Sequence, residues 1–219
     1  MEKTLSIVVP YRKRESHLKE FIPFMESYLA EEEVPFEILI IEQSDDKPFN
    51  RAKLLNVGFA ESEADYFAFH DVDMLPADSD YSFPDGPTHL ASQVEQFGWS
   101  LPYDGYFGGV TLFDRENFER INGFANEYWG WGAEDDDLLH RCLVKGVEIF
   151  RKECKYKSLS HERSIESNFY GANLAKLSIF KTSPNPDILI KADGISTLKY
   201  QKISEENLTQ NTKLIKVEL

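Results

Sequence analysis

Cysteine is almost missing from this chain: there are two in 219 residues, Cys142 and Cys154. Two thiols without zinc-site spacing make neither a disulfide framework nor a structural metal site, so both read as buried and inert. Positive charge is scarce too. Lys and Arg number 24 against 38 Asp and Glu, a formal net charge of −14. That excludes the basic footprint a phosphate backbone requires, and with it nucleic acid as a partner. No run approaches the ~18 apolar residues of a transmembrane helix, and the opening MEKTLSIVVPYRKR lacks a signal-peptide pattern. The chain is therefore expected to be soluble and cytoplasmic, with no transmembrane segment. Repeats, low-complexity tracts and a dividing linker are also missing, which points to one domain over residues 1–219. An acidic protein that binds an anion must offset the repulsion locally, with Arg, Lys or a metal ion.

What is present is a large apolar inventory: 42% hydrophobic residues, with 16 Phe, 10 Tyr and 3 Trp. Thr4–Pro10 (TLSIVVP) reads as a buried strand. Leu18, Phe21, Ile22, Met25 and Leu29 recur at helical spacing, and Pro23 is expected to kink that helix or shift its start. Phe36–Ile41 is a second strand. Asn50–Ser62 is a second helix with Asn50 as its cap, and Tyr66–His70 is a third strand. This β-α-β-α-β order predicts a parallel sheet with ligands beyond the carboxyl ends of its strands. From residue 76 the pattern loosens into a long ordered connection to 108. Strands are expected at 108–114 and Val147–Arg151, a short helix ends near Gly123, and another helix opens near Glu134 and runs through Leu143. Residues 160–187 read as a loop and 194–203 as a late strand. Two stretches differ in regularity, the β-α-β-α-β part up to residue 75 and the looser part over 76–219.

Three polar clusters follow the first three strands. Arg12, Lys13, Arg14 and Arg51 are basic islands; they are either solvated loop charge or a diphosphate site, since Arg forks match phosphate oxygens. Tyr11 and Phe49 beside them offer rings to stack on a base. Asp71 and Asp73 flank Val72. In an extended segment they point the same way, as either an acidic turn or a pair that holds a hard divalent cation. His161 is the best nitrogen candidate for the same ion. The last cluster is WGWGAEDDDLL, residues 129–139. At about 100° per residue, Leu138, Leu139, Cys142 and Leu143 form the buried face of the helix. Asp135 lies on the centre line of that face, Glu134 and Asp136 lie to either side, and Asp137 points away into an ordinary surface pair with Arg141. A carboxylate aligned with a core stripe must face a polar cleft, where it suits a general base.

The segments VVPYRKR, FNRAKLLNVGF, FHDVDMLP, LPYDGYFGGV, INGFANEYWGWGAEDDDL and DGISTLKY occur in order over nearly the whole chain. In them the chain resembles the β-1,4-galactosyltransferases, glycosyltransferase family 7, and within it the xylosylprotein galactosyltransferase branch. The resemblance implies an α/β fold of the GT-A glycosyltransferase type, with a Rossmann-like nucleotide-binding sheet and a mixed C-terminal acceptor-binding part. It implies a UDP-galactose donor, Mn²⁺ and inversion at the anomeric carbon. By this resemblance Asp73 and His161 ligate the metal, and Asp71 is the partner acid near the nucleotide. Pro10, Tyr11, Arg12, Arg14, Phe49, Arg51 and Val72 bind the donor, together with Gly109 and Tyr106, the donor-sugar gate. Trp131 covers donor and acceptor. Glu134, Asp135 and Asp136 hold the sugars, with Asp135 as the base, and Tyr103 joins the acceptor side. The acceptor is a xylose, N-acetylglucosamine or glucose terminus. In the family a Met three residues before the His, or a His two residues after it, completes the metal site. Here those positions are Ser158 and Arg163, which leaves Ser158, Glu162 or water. The Arg-Phe pair that holds an acceptor N-acetyl group has no counterpart in ESNFYGANLAKL. A UDP-N-acetylgalactosamine or UDP-glucose transferase and a non-catalytic sugar-binding module are the rival readings.

Overall fold

The computed structural model describes residues 2–32, 34–160 and 169–219. Its centre is the expected parallel unit: β1 (Leu5–Tyr11), α1 (Glu15–Glu31), β2 (Phe36–Gln43), α2 (Arg51–Ala60) and β3 (Tyr66–His70). Strand β1 lies between β2 and β3, parallel to both. All seven of its residues are buried, and they split by parity. Leu5, Ile7, Val9 and Tyr11 enter one core, and Val8 enters the core on the other face. A strand covered on both sides needs apolar side chains on both, hence the continuous run rather than an alternating one.

Helix α1 buries Phe21, Met25 and Leu29, a stripe at four-residue spacing. Pro23 lies inside this helix rather than at its start. It sits on the exposed side, as does Lys19, whose carbonyl loses its helical partner where solvent can reach it. Helix α2 begins at the expected cap: the Asn50 side chain accepts from the Lys53 amide at 2.8 Å. It packs so closely on β1 that a Cβ at Gly58 would lie 2.1 Å from a Val8 methyl.

Beyond β3 the chain leaves the parallel pattern. β4 (Met74–Asp78) runs into the stretch 76–108, which also contains β5 (Thr88–His89), β6 (Gln93–Val94) and a 3₁₀ turn, where the sequence predicts only a connection. Then follow β7 (Val110–Asp114), α3 (Arg115–Arg120), α4 (Glu134–Val144), β8 (Phe150–Arg151) and β9 (Lys155–Ser158). The strand expected over 147–151 is thus only two residues long. Two helices, α5 (Tyr170–Thr182) and α6 (Pro186–Ala192), occupy most of what reads as a loop. The late strand is β10 (Gln201–Asn207), displaced from 194–203, and a further strand, β11 (Thr212–Glu218), follows it.

The main sheet has eight strands in the order β10-β11-β2-β1-β3-β7-β5-β8, and β4-β9-β6 form a small second sheet. β7 runs antiparallel to β3, so the sheet is mixed. Both cysteines are free and buried, and burial pushes both thiols up, Cys142 to about 12, in keeping with inert side chains. Among the described residues no helix is long and apolar enough to cross a membrane.

Candidate active site

The carboxyl ends of β1, β2 and β3 open on one edge, and the basic residues gather there. The Arg12 guanidinium lies over the Phe49 ring, 5.2 Å from its centroid, and donates to the Lys47 carbonyl at 2.7 Å. Pro10 is buried, Lys13 holds a left-handed backbone with φ 51°, and Arg14 caps α1. Tyr11 is only 5% exposed and packed in the core, which leaves Phe49 as the ring available for stacking. Arg51, in the first turn of α2, bridges two elements. Its Nε donates to Asp71 Oδ1 at 2.6 Å, and its Nη1 lies 3.7 Å from Glu134 Oε1. Burial alone would weaken its charge, but the two carboxylates outweigh it and hold the guanidinium above the ordinary arginine value.

The DVD segment is a turn, not the extended stretch the sequence reading assumed. β3 ends at His70, and the Met74 amide donates to the Asp71 carbonyl at 3.2 Å. Val72 is still turned inward at 8% exposure, with Asp71 and Asp73 partly open. His70, fully buried, lies 2.9 Å from the Asp71 carbonyl and 2.9 Å from the Tyr81 hydroxyl. Burial pushes its imidazole down to about 4, so it is neutral. The Leu159 amide donates to the Asp73 carbonyl at 2.8 Å, and Ser158 pairs with Met74 across the small sheet. The Ser158 Oγ is buried with no hydrogen-bond partner among the described residues. A buried oxygen without a protein partner, on the strand whose next residue bonds the Asp73 backbone, is a ligand type that suits a hard cation. His161, with Glu162 and Arg163, lies outside the described residues. Among those described, no three His, Cys, Asp or Glu side chains cluster to hold a metal.

The segment from Trp129 reaches α4 through left-handed backbone at Gly130 (φ 71°), Gly132 (φ 99°) and Ala133 (φ 75°). The Gly130 amide donates to the Phe49 carbonyl at 2.8 Å, tying this loop to the edge where β1, β2 and β3 end. The buried face of α4 is not the one predicted. It consists of Asp137, Leu138, Arg141 and Cys142, with Leu143 62% exposed. Asp137 is 3% exposed, accepts from Arg141 Nε at 2.6 Å and from the Tyr128 hydroxyl at 3.0 Å, and is no surface charge. Hydrophobic periodicity cannot see a buried ion pair, so the face read from the leucines is rotated by one residue.

The acids before it, half-buried, lie against the segment from Tyr103 to Gly108. A Cβ built on Gly108 would lie 2.4 Å from Asp135 Oδ2 and 2.8 Å from the Tyr106 ring. Burial, then the charges of Glu134 and Asp136, push the Asp135 carboxyl up to about 7 against the opposing Arg51. Glu134 is also raised, by burial first. The Tyr103 hydroxyl is 3.3 Å from Asp136 Oδ1, and burial beside these acids holds the phenols of Tyr103 and Tyr106 protonated. Gly109 (φ 75°) would place a Cβ 3.4 Å from the Tyr106 hydroxyl. Trp131 is 65% exposed, its ring 5.0 Å from that of Tyr170. Arg51, Asp71, Tyr106, Gly108, Gly109, Glu134, Asp135, Asp136 and Tyr103 are thus linked by direct contacts or shared charge, whereas Trp131 projects from the loop.

Sequence reasoning misses Gly108, and with it His89 and Arg151. These last two hydrogen-bond each other across 62 positions of sequence, a separation at which no local pattern links them.

Comparisons with known proteins bear on this arrangement. Residues 1–83 match the family described as the N-terminal region of glycosyl transferase group 7, and residues 88–163 the family described as the N-terminal domain of galactosyltransferase. Human beta-1,4-galactosyltransferase 2 is 37% identical over 95% of the chain, which spans 58% of that protein's length. The catalytic domain of Drosophila beta-1,4-galactosyltransferase 7, solved with xylobiose, has a TM-score of 0.78 at 27% identity, covering 99% of this chain and 94% of that one. A mutant of the fly enzyme in complex with manganese, UDP-Gal and xylobiose gives a TM-score of 0.77 at the same identity and the same coverage.

Proposed function

Because the chain belongs to the β-1,4-galactosyltransferase family and carries the GT-A fold, we propose that it moves galactose from UDP-galactose to a sugar hydroxyl. The linkage is β-1,4 and the anomeric carbon inverts. The observation that carries this reading is Asp135: a carboxyl raised to about 7, packed against the Tyr106–Gly108 wall and flanked by Glu134 and Asp136.

Phe49 stacks on the base, and Arg12, Arg14 and Arg51 face the diphosphate. Tyr106 and Gly109 wall the galactose, with Val72 beneath the Asp71–Asp73 turn. Trp131 closes over both sugars and excludes water. Asp73 and Ser158, with His161 from outside the described residues, are the side chains that would hold Mn²⁺. When bound, the ion supplies positive charge that stabilises the departing diphosphate. Ionised Asp135 takes the proton of the acceptor hydroxyl. The acceptor oxygen forms its bond to the anomeric carbon on the face opposite UDP, and the bond from that carbon to the β-phosphate oxygen breaks, UDP leaving with the electron pair. Tyr103 and Asp136 orient the acceptor. A xylose terminus is favoured over N-acetylglucosamine, because the similar fly enzyme was solved with xylobiose and the N-acetyl-binding Arg-Phe pair has no counterpart here.

The test is a donor and acceptor panel: UDP-galactose, UDP-N-acetylgalactosamine and UDP-glucose with Mn²⁺, each against xylosides, glucosides and N-acetylglucosaminides, with products read by mass spectrometry. Asp135→Asn should lower transfer by about 10²–10⁴-fold while leaving UDP binding nearly intact by calorimetry. Retained transfer sinks the assignment of the base.

A further inference from the structure

Tyr106 and Gly108 are held from behind by two side chains that play no part in the chemistry above. His89, on β5, is fully buried. Its Nε2 lies 2.9 Å from the Gly108 carbonyl, and its Nδ1 lies 2.7 Å from Arg151 Nη1. Arg151 Nη2 donates to the Tyr106 carbonyl at 2.9 Å. Strands β5 and β8 run parallel with His89 and Arg151 in register, so sheet pairing itself delivers the contact.

Only one proton arrangement satisfies these bonds. A carbonyl only accepts, so His89 carries its hydrogen on Nε2; a guanidinium only donates, so Nδ1 keeps its lone pair. Arg151 therefore fixes the imidazole tautomer, and through it the Gly108 carbonyl, while it grips the Tyr106 carbonyl directly. In a chain of net charge −14, this cation spends two arms of its fork on neutral acceptors. What it fixes is geometry rather than charge. The ring of Tyr106 is caged at the same time: His89, Tyr103 and Phe97 meet it edge-on at 5.4, 5.5 and 6.2 Å. The front of this wall touches Asp135.

We propose that Arg151 is a positioning residue that, through His89 and the carbonyls of Tyr106 and Gly108, sets which donor sugar the site accepts. This rests on the reading of Tyr106 as the donor-sugar wall. A wall held at both carbonyls rejects a sugar with a bulkier substituent; released, it yields. Arg151 is exposed, so its replacement leaves the core packing in place.

The experiment compares wild type, Arg151→Met, Arg151→Lys and the neighbouring Lys152→Met. It measures kcat/KM for UDP-galactose and for UDP-N-acetylgalactosamine at saturating Mn²⁺ and acceptor, with thermal melts to show that each variant is folded. The ratio of galactose to N-acetylgalactosamine use should fall about tenfold in Arg151→Met, the scale of discrimination by one small group in a pocket. It should fall similarly in Arg151→Lys, because an ammonium cannot bridge two acceptors as a fork does, and should stay unchanged in Lys152→Met. If either Arg151 variant does not fold, the other carries the test. An unchanged ratio, with both donors slowed equally or neither slowed, overturns the proposal and leaves Arg151 a purely structural residue. A wild-type protein that turns over neither donor overturns the functional reading and this inference with it.

Discussion

At the scale of single residues the site is a problem of crowded negative charge. Glu134, Asp135 and Asp136 are consecutive, and among the described residues Arg51 is a cation that reaches them. The Asp135 carboxyl, raised to about 7, is poised near neutrality, and as the proposed base it works only when ionised. The rate should therefore fall as pH drops through about 7, read as the acid limb of kcat/KM in wild type. The same shift has a consequence for stability. The folded carboxyl binds a proton between its ordinary value of 3.8 and about 7, where the unfolded one does not, so this group lowers stability as pH rises through that window. Asp135→Asn should thus melt higher than wild type at about pH 8, with the difference vanishing near about pH 4; an equal melting temperature at both would show that the carboxyl is not raised. Gly108→Ala probes the same contact from the other side. Its methyl must displace Asp135 or Tyr106, and a shift of about 1 Å in a proposed catalytic group costs roughly 10²-fold in rate, so activity should collapse in protein that still folds, with overpacking lowering stability by about 1–3 kcal/mol. The acids and Tyr106 were legible as sequence; Gly108 was not, because the need for a missing side chain arises from a helix that packs against it from a distant part of the chain.

At the scale of elements, α4 shows where pattern reading stops. Its existence and limits follow from spacing and from the glycines before it, but its orientation does not. Asp137 and Arg141 are buried as a pair, with Tyr128 and the Gly123 carbonyl completing their bonds. Asp137→Ala should leave a buried guanidinium uncompensated and cost about 3–5 kcal/mol by urea denaturation. The double replacement Asp137→Leu with Arg141→Met should recover most of that, because it removes both charges and fills the space. A loss for the double variant as large as for the single one would mean that the pair is more than a matched burial. Helices α5 and α6 escaped the sequence reading for a related reason. α5 buries only Asn173, Leu177 and Phe180, a thin stripe that begins on a polar residue. Asn173 is buried because it donates to the carbonyls of Trp129 and Trp131, partners that exist only in the folded chain.

At the scale of the whole molecule, one sheet carries two cores, and β1 contributes to both. Residues 1–75 and 76–219 share that sheet: β11, from the end of the chain, pairs with β2, and β7 pairs with β3. Unfolding should therefore be a single calorimetric transition, displaced upward by UDP and Mn²⁺ together through mass action; two separated transitions would show independent halves. The sequence by itself determined the parallel β-α-β-α-β unit, the Asn50 cap of its second helix, the acidic and basic clusters at its edge, and the family. Those features are local: apolar runs, helical spacing, and side chains that act beside their neighbours in the chain. Only the tertiary structure decided the antiparallel extension, the place of β11, the burial of Asp137 with Arg141, and the grip of Arg151 and His89 on the wall facing Asp135. Each of these depends on polar or charged groups whose desolvation is tolerable only beside a partner, and the partner is supplied by folding rather than by proximity in sequence.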